Sequence, residues 1–231
     1  TRPDQDLTLQ RLHRVTVPRK AWKQLFVFAF DHRWQLVDLA QKGGQDLARI
    51  SAINGLAGRQ ALKRDELLPK YQDYIQRYIE SGQVMQNPVL VQVMVWLFDT
   101  EQFEDGLALA DFAIGQGQEM PERFKRRDVQ TFVADAVIDW AYAEYNAQRS
   151  PEPYLSDLLP RVDGEWELTE QIPSKYHKLI GMRAMEAEQW ETALKHLERS
   201  TELHAKAGNE TRIAKCRKAI AKQTPAITGA E

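Results

Sequence analysis

Apolar residues recur at spacings of three and four along most of this chain, and that spacing constrains its fold more than anything else in it. Leu36, Leu39 and Ala40 form one such set; Tyr71, Tyr74, Ile75, Tyr78 and Ile79 form another. A helix turns once in about 3.6 residues, so each set lies along one helix face. Alternating strand patterns are scarce, and Ala, Leu, Gln, Glu, Lys and Arg dominate, all good helix formers. The punctuation agrees. Pro69 suits a first helical turn, Ser81-Gly82 a stop and Asn87-Pro88 a new start. Residues 89–98 form the ambiguous segment, because this apolar run is rich in β-branched valines. It reads as a buried helix, since helical segments flank it and no partner strand is evident. It is far shorter than the roughly 20 residues needed to cross a bilayer, so no membrane role is expected.

The predicted fold is all-α. Pro151, Pro153, Pro160, Gly164 and Pro173 interrupt any long helix late in the chain. The expected organisation is a basic arm with DNA-binding helices over 1–62 and a central helical domain over 63–149. A Pro-rich linker over 150–174, a C-terminal helical hairpin over 175–222 and a disordered tail over 223–231 follow. A quiet repeat links the two helical parts. Glu101-Gln102-Phe103-Glu104-Asp105-Gly106-Leu107 parallels Glu188-Gln189-Trp190-Glu191-Thr192-Ala193-Leu194, with an aromatic followed three positions later by a small residue. Gly181, Trp190, Ala193 and Leu197 match the spacing of a tetratricopeptide-type hairpin. Two separated copies do not make a solenoid, so the hairpins are read as used singly, and a tetratricopeptide-like protein-binding adaptor is the alternative they allow.

A formal net charge of −2 hides strong segregation. Residues 1–24 hold six cationic side chains against two acids, and residues 80–122 hold eight acids and no Lys or Arg. Residues 195–222 hold eight cationic side chains against three acids. Such asymmetry points to different partners for different parts of the molecule. The acidic block pairing with the basic 195–222 block of a neighbouring copy is one arrangement that charge allows.

Chemical motifs are few. Neither Gly43-Gly44 nor Gly55-Leu56-Ala57-Gly58-Arg59 has the spacing of a triphosphate-cradling loop, so ATP hydrolysis is not expected. A single cysteine, Cys216, excludes a disulfide framework and fits a reducing compartment. His196 and His204 sit two turns apart without the further ligands of a metal site. A nuclease would need carboxylates clustered around magnesium. Asp99, Glu101, Glu104 and Asp105 form one acidic knot; Asp163, Glu165 and Glu167 form another. The first sits where acids favour the positive end of a starting helix. Both knots read as structural, and no catalytic residue is assigned.

Nucleic-acid contacts have better support. Arg11, Arg14, Arg19, Lys20 and Lys23 make a basic arm interleaved with His13 and Trp22. Residues 45–50 and 56–64 read as two short helices around Asn54-Gly55, a loose helix-turn-helix whose second helix would present Arg59, Gln60, Lys63 and Arg64. One amphipathic helix broken at Gly55 fits the same residues. Arg123, Lys125, Arg126 and Arg127 form a third basic group. Phosphate contacts of this kind supply affinity with little sequence discrimination.

Several strings taken together resemble a known family. They are Lys63-Arg64 with Glu66-Leu67-Leu68-Pro69, then Gln92-Val93-Met94-Val95-Trp96-Leu97 with Asp99-Thr100. Gly106-Leu107-Ala108-Leu109-Ala110 and Met120-Pro121 follow. In the C-terminal part the strings are Lys175-Tyr176-His177-Lys178-Leu179-Ile180-Gly181 and residues 193–203. Over roughly residues 60–220 the chain resembles the terminase small subunit of contractile-tailed temperate bacteriophages and related prophages, a family often labelled the terminase endonuclease subunit. The resemblance implies packaging of concatemeric double-stranded viral DNA in the host bacterial cytoplasm. It implies recognition of the packaging or cohesive-end site, assembly as a ring-like homo-oligomer, and recruitment of a large ATPase subunit. It implies no cofactor, except Mg2+ if the endonuclease label applies to this chain, and it transfers no catalytic residue.

Overall fold

A computed structural model of the chain describes residues 43–124 and 128–223. Every regular element among the described residues is a helix, and the chain is all-α. A lone antiparallel bridge joins Glu119 to Asp128. Two compact units divide the chain after Arg59.

In the first unit, helix α1 spans 43–52 and buries Asp46 and Ile50. Residues 53–55 break it, and α2 (Leu56–Leu62) starts beyond. The turn is closed by its own second helix. Arg59 donates from Nε to the Ile53 carbonyl at 2.6 Å, and a Cβ on Gly58 would come within 2.9 Å of Ile53 Cγ2.

The second unit runs through a π-type turn (Lys63–Leu67) into α3 (Leu68–Ser81), α4 (Pro88–Asp99), α5 (Phe103–Gly115) and α6 (Val129–Asn146). Helix α7 (Tyr154–Pro160) follows, with a second π-type turn (Arg161–Glu165). The chain then forms α8 (Gln171–Glu186), α9 (Trp190–Leu203) and α10 (Glu210–Gln223). Residues 150–174, where prolines suggested a linker, carry α7 and bury Leu155, Leu158 and Val162.

Helix α4 is the axis around which α3, α5 and α6 pack, and all ten residues of its 89–98 run are buried. Asn87 starts it, its side chain accepting from the Leu90 amide at 3.1 Å, and Pro88 occupies the first turn, where its missing amide proton costs nothing. A buried strand would leave its backbone groups needing partners, whereas a helix pairs them within the segment. Aromatic rings tie the neighbours to this axis. Trp96 meets Tyr71 of α3 at 5.7 Å between ring centroids, and Phe98 meets Phe103 of α5 at 5.8 Å and Phe132 of α6 at 5.6 Å. Each such ring removes enough apolar surface from water to contribute about 1.5–3 kcal/mol.

The parallel strings seen in the sequence adopt matching turns. Glu101 and Glu188 both take the left-handed conformation, with φ 61° and 56°. The next residue closes back by five positions in each, Gln102 to the Leu97 carbonyl and Gln189 to the Ala184 carbonyl, both at 2.9 Å. This is the helix-ending geometry that glycine usually supplies. Small residues then let the paired helices approach: Gly106 lies against Phe98, and Gly181 against Leu197 and Ala193.

Candidate nucleic-acid interface

The basic residues singled out in the sequence have different fates. Arg11, Arg14, Arg19, Lys20 and Lys23, and Lys125, Arg126 and Arg127, lie outside the described residues. Lys63 is held to Asp99, Nζ to Oδ2 at 2.6 Å, with its side chain only 12% exposed. Gln60 adds a bond from Nε2 to the Asp99 carbonyl at 3.0 Å. Lys63 and Gln60 thus cap the end of α4 and would have to leave it to meet a phosphate. Arg64 forks onto the neighbouring Asp65 at 2.8 and 3.1 Å, a solvent-exposed pair of small net value. Arg123 donates to Gln92 of α4, and its guanidinium lies 4.9 Å above the Phe124 ring. Partial burial pulls its pKa below the usual arginine range.

The acidic knots separate in the same way. Glu104 and Asp105 occupy the first turn of α5, where they favour the helix dipole. Asp111 of that helix pairs with Arg161. Asp163 belongs to a cluster that the sequence did not reveal. Its carboxylate receives a two-pronged bond from Arg199, Nε to Oδ2 at 3.0 Å and a terminal nitrogen to Oδ1 at 2.9 Å. His177 Nε2 lies 2.9 Å from Oδ2, and His177 Nδ1 lies 2.8 Å from Nδ1 of His196. The π-type turn, α8 and α9 are joined at this point. A crevice of about 530 Å³ opens beside it, lined by Asp163, His177, Lys195, Glu198, Arg199 and Glu202 among others. With three acids against two bases among those six, it does not suit a polyanion.

The protons in this cluster follow from the partners. The Arg199 guanidinium, aided by His177, holds the Asp163 carboxyl below the usual carboxylate range. Asp163 therefore accepts, and His177 donates from Nε2. The neutral His177 ring then offers a lone pair at Nδ1, and His196 donates its Nδ1 proton to it. Burial lowers the pKa of His177 despite the pull of Asp163. Burial, the neighbouring His177 and Lys195 push His196 down to about 4. Both imidazoles are thus harder to protonate in the fold than in the unfolded chain, where the value is about 6.5. A depressed pKa of this kind contributes stability above the unfolded value and loses it as pH falls toward the folded one. We expect the urea midpoint to be flat from pH 8 to 7 and to fall steadily from about 6.5 to about 4. His196→Gln should flatten that fall; an unchanged slope in this variant would exclude the pair as its source. Asp163 begins to contribute only below this range.

Among the described residues, no group of three or more His, Cys, Asp or Glu side chains is placed to hold a metal ion. No helix among them is long and apolar enough to cross a membrane.

Comparison with known proteins gives this helical frame its context. The model of the phage small terminase subunit family matches residues 41–171, more than half of the chain. A second model, of an uncharacterized protein family conserved in bacteria, matches residues 1–71. A protein of Haemophilus phage HP1 named "Probable terminase, endonuclease subunit" is 31% identical over 184 residues, covering 74% of this chain and 65% of that protein. The "Terminase, endonuclease subunit" of Escherichia phage P2 is 26% identical over 153 residues, covering 66% of this chain and 62% of that protein. The chain thus spans slightly less than two thirds of either relative. No solved structure matches it. On the strength of the match across α1 to α7, the chain belongs to the phage small terminase subunit family.

Proposed function

We propose that this chain is the DNA-recognition and assembly subunit of a phage terminase. In this reading it binds double-stranded viral DNA at the packaging or cohesive-end site in the host bacterial cytoplasm. It assembles as a ring-like homo-oligomer and recruits a large ATPase subunit for cleavage and packaging. The family match over residues 41–171 carries the proposal. The basic arm at 1–24 and the two helices α1 and α2 with a three-residue break support it. The local ties of Lys63 and Arg123 shift the expected phosphate contacts toward the arm. Changing Arg11, Arg14, Lys20 and Lys23 together to Ala should weaken binding to end-site duplex at least tenfold. It should also flatten the salt dependence by about three to four units, at roughly 0.9 per lost phosphate contact. Binding and salt slope like those of the parent chain would remove the arm from the interface.

DNA cleavage by this chain itself is the second reading, favoured by the names of the two phage proteins. Magnesium-dependent cutting needs clustered carboxylates. Asp99 and Asp163 do not fit that need, since Asp99 is held by Lys63, and Asp163 by Arg199 and His177. The decisive mixture is the purified chain, end-site duplex and magnesium, without a large subunit. Our reading expects intact DNA, and expects Asp99→Ala and Asp163→Ala to leave cutting by the complete terminase in place. Cutting by the chain alone, abolished by either change, would establish the second reading.

A further inference from the structure

Helix α10 is fastened to α9 by one side only. Cys216 is fully buried, and Ile213 packs against the same small cluster as Ala184, Ala193 and Leu197. Lys215, Lys218 and Lys222 lie at positions i, i+3 and i+7, on the side away from Cys216, and all three are exposed. They have no ion-pair partner among the described residues, and Lys215 has only the Trp190 ring, 5.9 Å from its ammonium. Several other cations of this unit are committed to acids, while Arg77, Lys178 and Arg212 hold only backbone carbonyls. Lys63, Arg149, Arg161, Arg183, Arg199 and Arg217 each hold a carboxylate.

A row of like charges at these spacings weakens its own helix. The helix dipole accounts for Lys222, in the last turn, but not for Lys215 or Lys218. The other exposed residues of α10 are small, polar or charged: Glu210, Thr211, Ala214, Arg217 (paired with Glu198), Ala221 and Gln223. A protein partner normally needs an aromatic or large aliphatic anchor, and this face has none. The acidic block of a neighbouring copy is the competing partner, with part of its charge already used. Its Asp99 and Asp111 are already paired, and its Glu104 and Asp105 sit at the favourable end of α5. A phosphate backbone needs only positive charge along its track. Three ammonium groups over about 10 Å of helix, each on a flexible stem, provide that.

We propose that α10 is a DNA-backbone contact surface, separate from the N-terminal arm, in which Lys215, Lys218 and Lys222 bind phosphates without reading sequence. The proposal rests on the DNA-binding reading above. Its test uses the full chain and a duplex of unrelated sequence, titrated over a range of salt. Lys215→Gln, Lys218→Gln and Lys222→Gln combined should flatten the salt dependence by about 2.7 units, at roughly 0.9 per contact, and weaken binding tenfold or more. Circular dichroism should show the helices kept, and the matching triple change to Arg should retain the slope. If the parent chain binds and the Gln variant binds with the same slope, α10 is not a DNA contact and the DNA-binding reading stands. If the parent chain does not bind duplex at all, both fall. If the Gln variant changes the oligomer mass in native mass spectrometry while its slope is kept, the face joins subunits, which also overturns the proposal.

Discussion

Asn87→Ala is expected to cost about 2–4 kcal/mol of stability, read as a lower urea midpoint without a change of slope. Asn87 is fully buried and has two side-chain duties. Its Oδ1 accepts from the Leu90 amide at 3.1 Å, and its Nδ2 donates to the Tyr74 hydroxyl at 2.9 Å. Losing the cap costs about 1–2 kcal/mol, and leaving the buried Tyr74 hydroxyl without this donor costs a similar amount. Burial pushes Tyr74 up to about 12, so the hydroxyl stays protonated and cannot recover by ionising. The backbone amide of Asn87 keeps its 2.7 Å bond to Gln118 Oε1 in the variant, so the surrounding network survives. Asn87→Ser should recover the capping share alone. A loss below about 1 kcal/mol in Asn87→Ala would mean that α4 is not anchored at this residue.

Gly181→Val is the other large effect, at about 2–3 kcal/mol. A Cβ at position 181 would lie 2.8 Å from Leu197 Cγ and 3.3 Å from the Ala193 carbonyl oxygen. Leu197 and Ala193 are fully buried, so neither can yield without moving α9. Valine adds two further methyl groups to the same contact. Gly181→Ala should cost less, because removing glycine from a helix interior recovers about 1 kcal/mol. An unchanged midpoint in both variants would show that α8 and α9 are not in close contact at this point. Because the clamp of Asp163, Arg199 and the paired imidazoles joins the same two helices, Gly181→Val should also weaken the acid sensitivity expected of His196.

What the sequence could and could not reveal follows from the range of each interaction. The stripe Tyr71, Tyr74, Ile75 and Tyr78 was legible because helical periodicity is local, and all four residues are buried. The 89–98 run was legible as a buried helix because helical segments flank it and no partner strand is evident. The parallel strings at 101 and 188 announced two similar bends, but the left-handed residue in each is a glutamate, so the usual glycine signal was missing. Pro151, Pro153, Pro160 and Pro173 read as interruptions. In the structure Pro151 and Pro153 precede the first turn of α7 and Pro173 lies in the first turn of α8, positions a helix tolerates, whereas Pro160 sits inside the helical run, which turns π-type directly after it. The cluster of Asp163, His177 and His196 gave no local signal. Its members stand 14 and 19 positions apart and meet only because of how the π-type turn, α8 and α9 pack. The basic residues were visible as charge, but whether each is spent on a neighbour depends on tertiary contacts such as Lys63 with Asp99.

The most direct test is competitive binding of the full chain at physiological salt. One duplex would carry the packaging site of the phage, and the other would be an unrelated sequence of the same length. A site-recognition subunit should prefer the first by 10³-fold or more, and both affinities should fall steeply as salt rises. Equal affinity for the two duplexes, or none for either, would contradict the assignment of this chain as the DNA-recognition subunit.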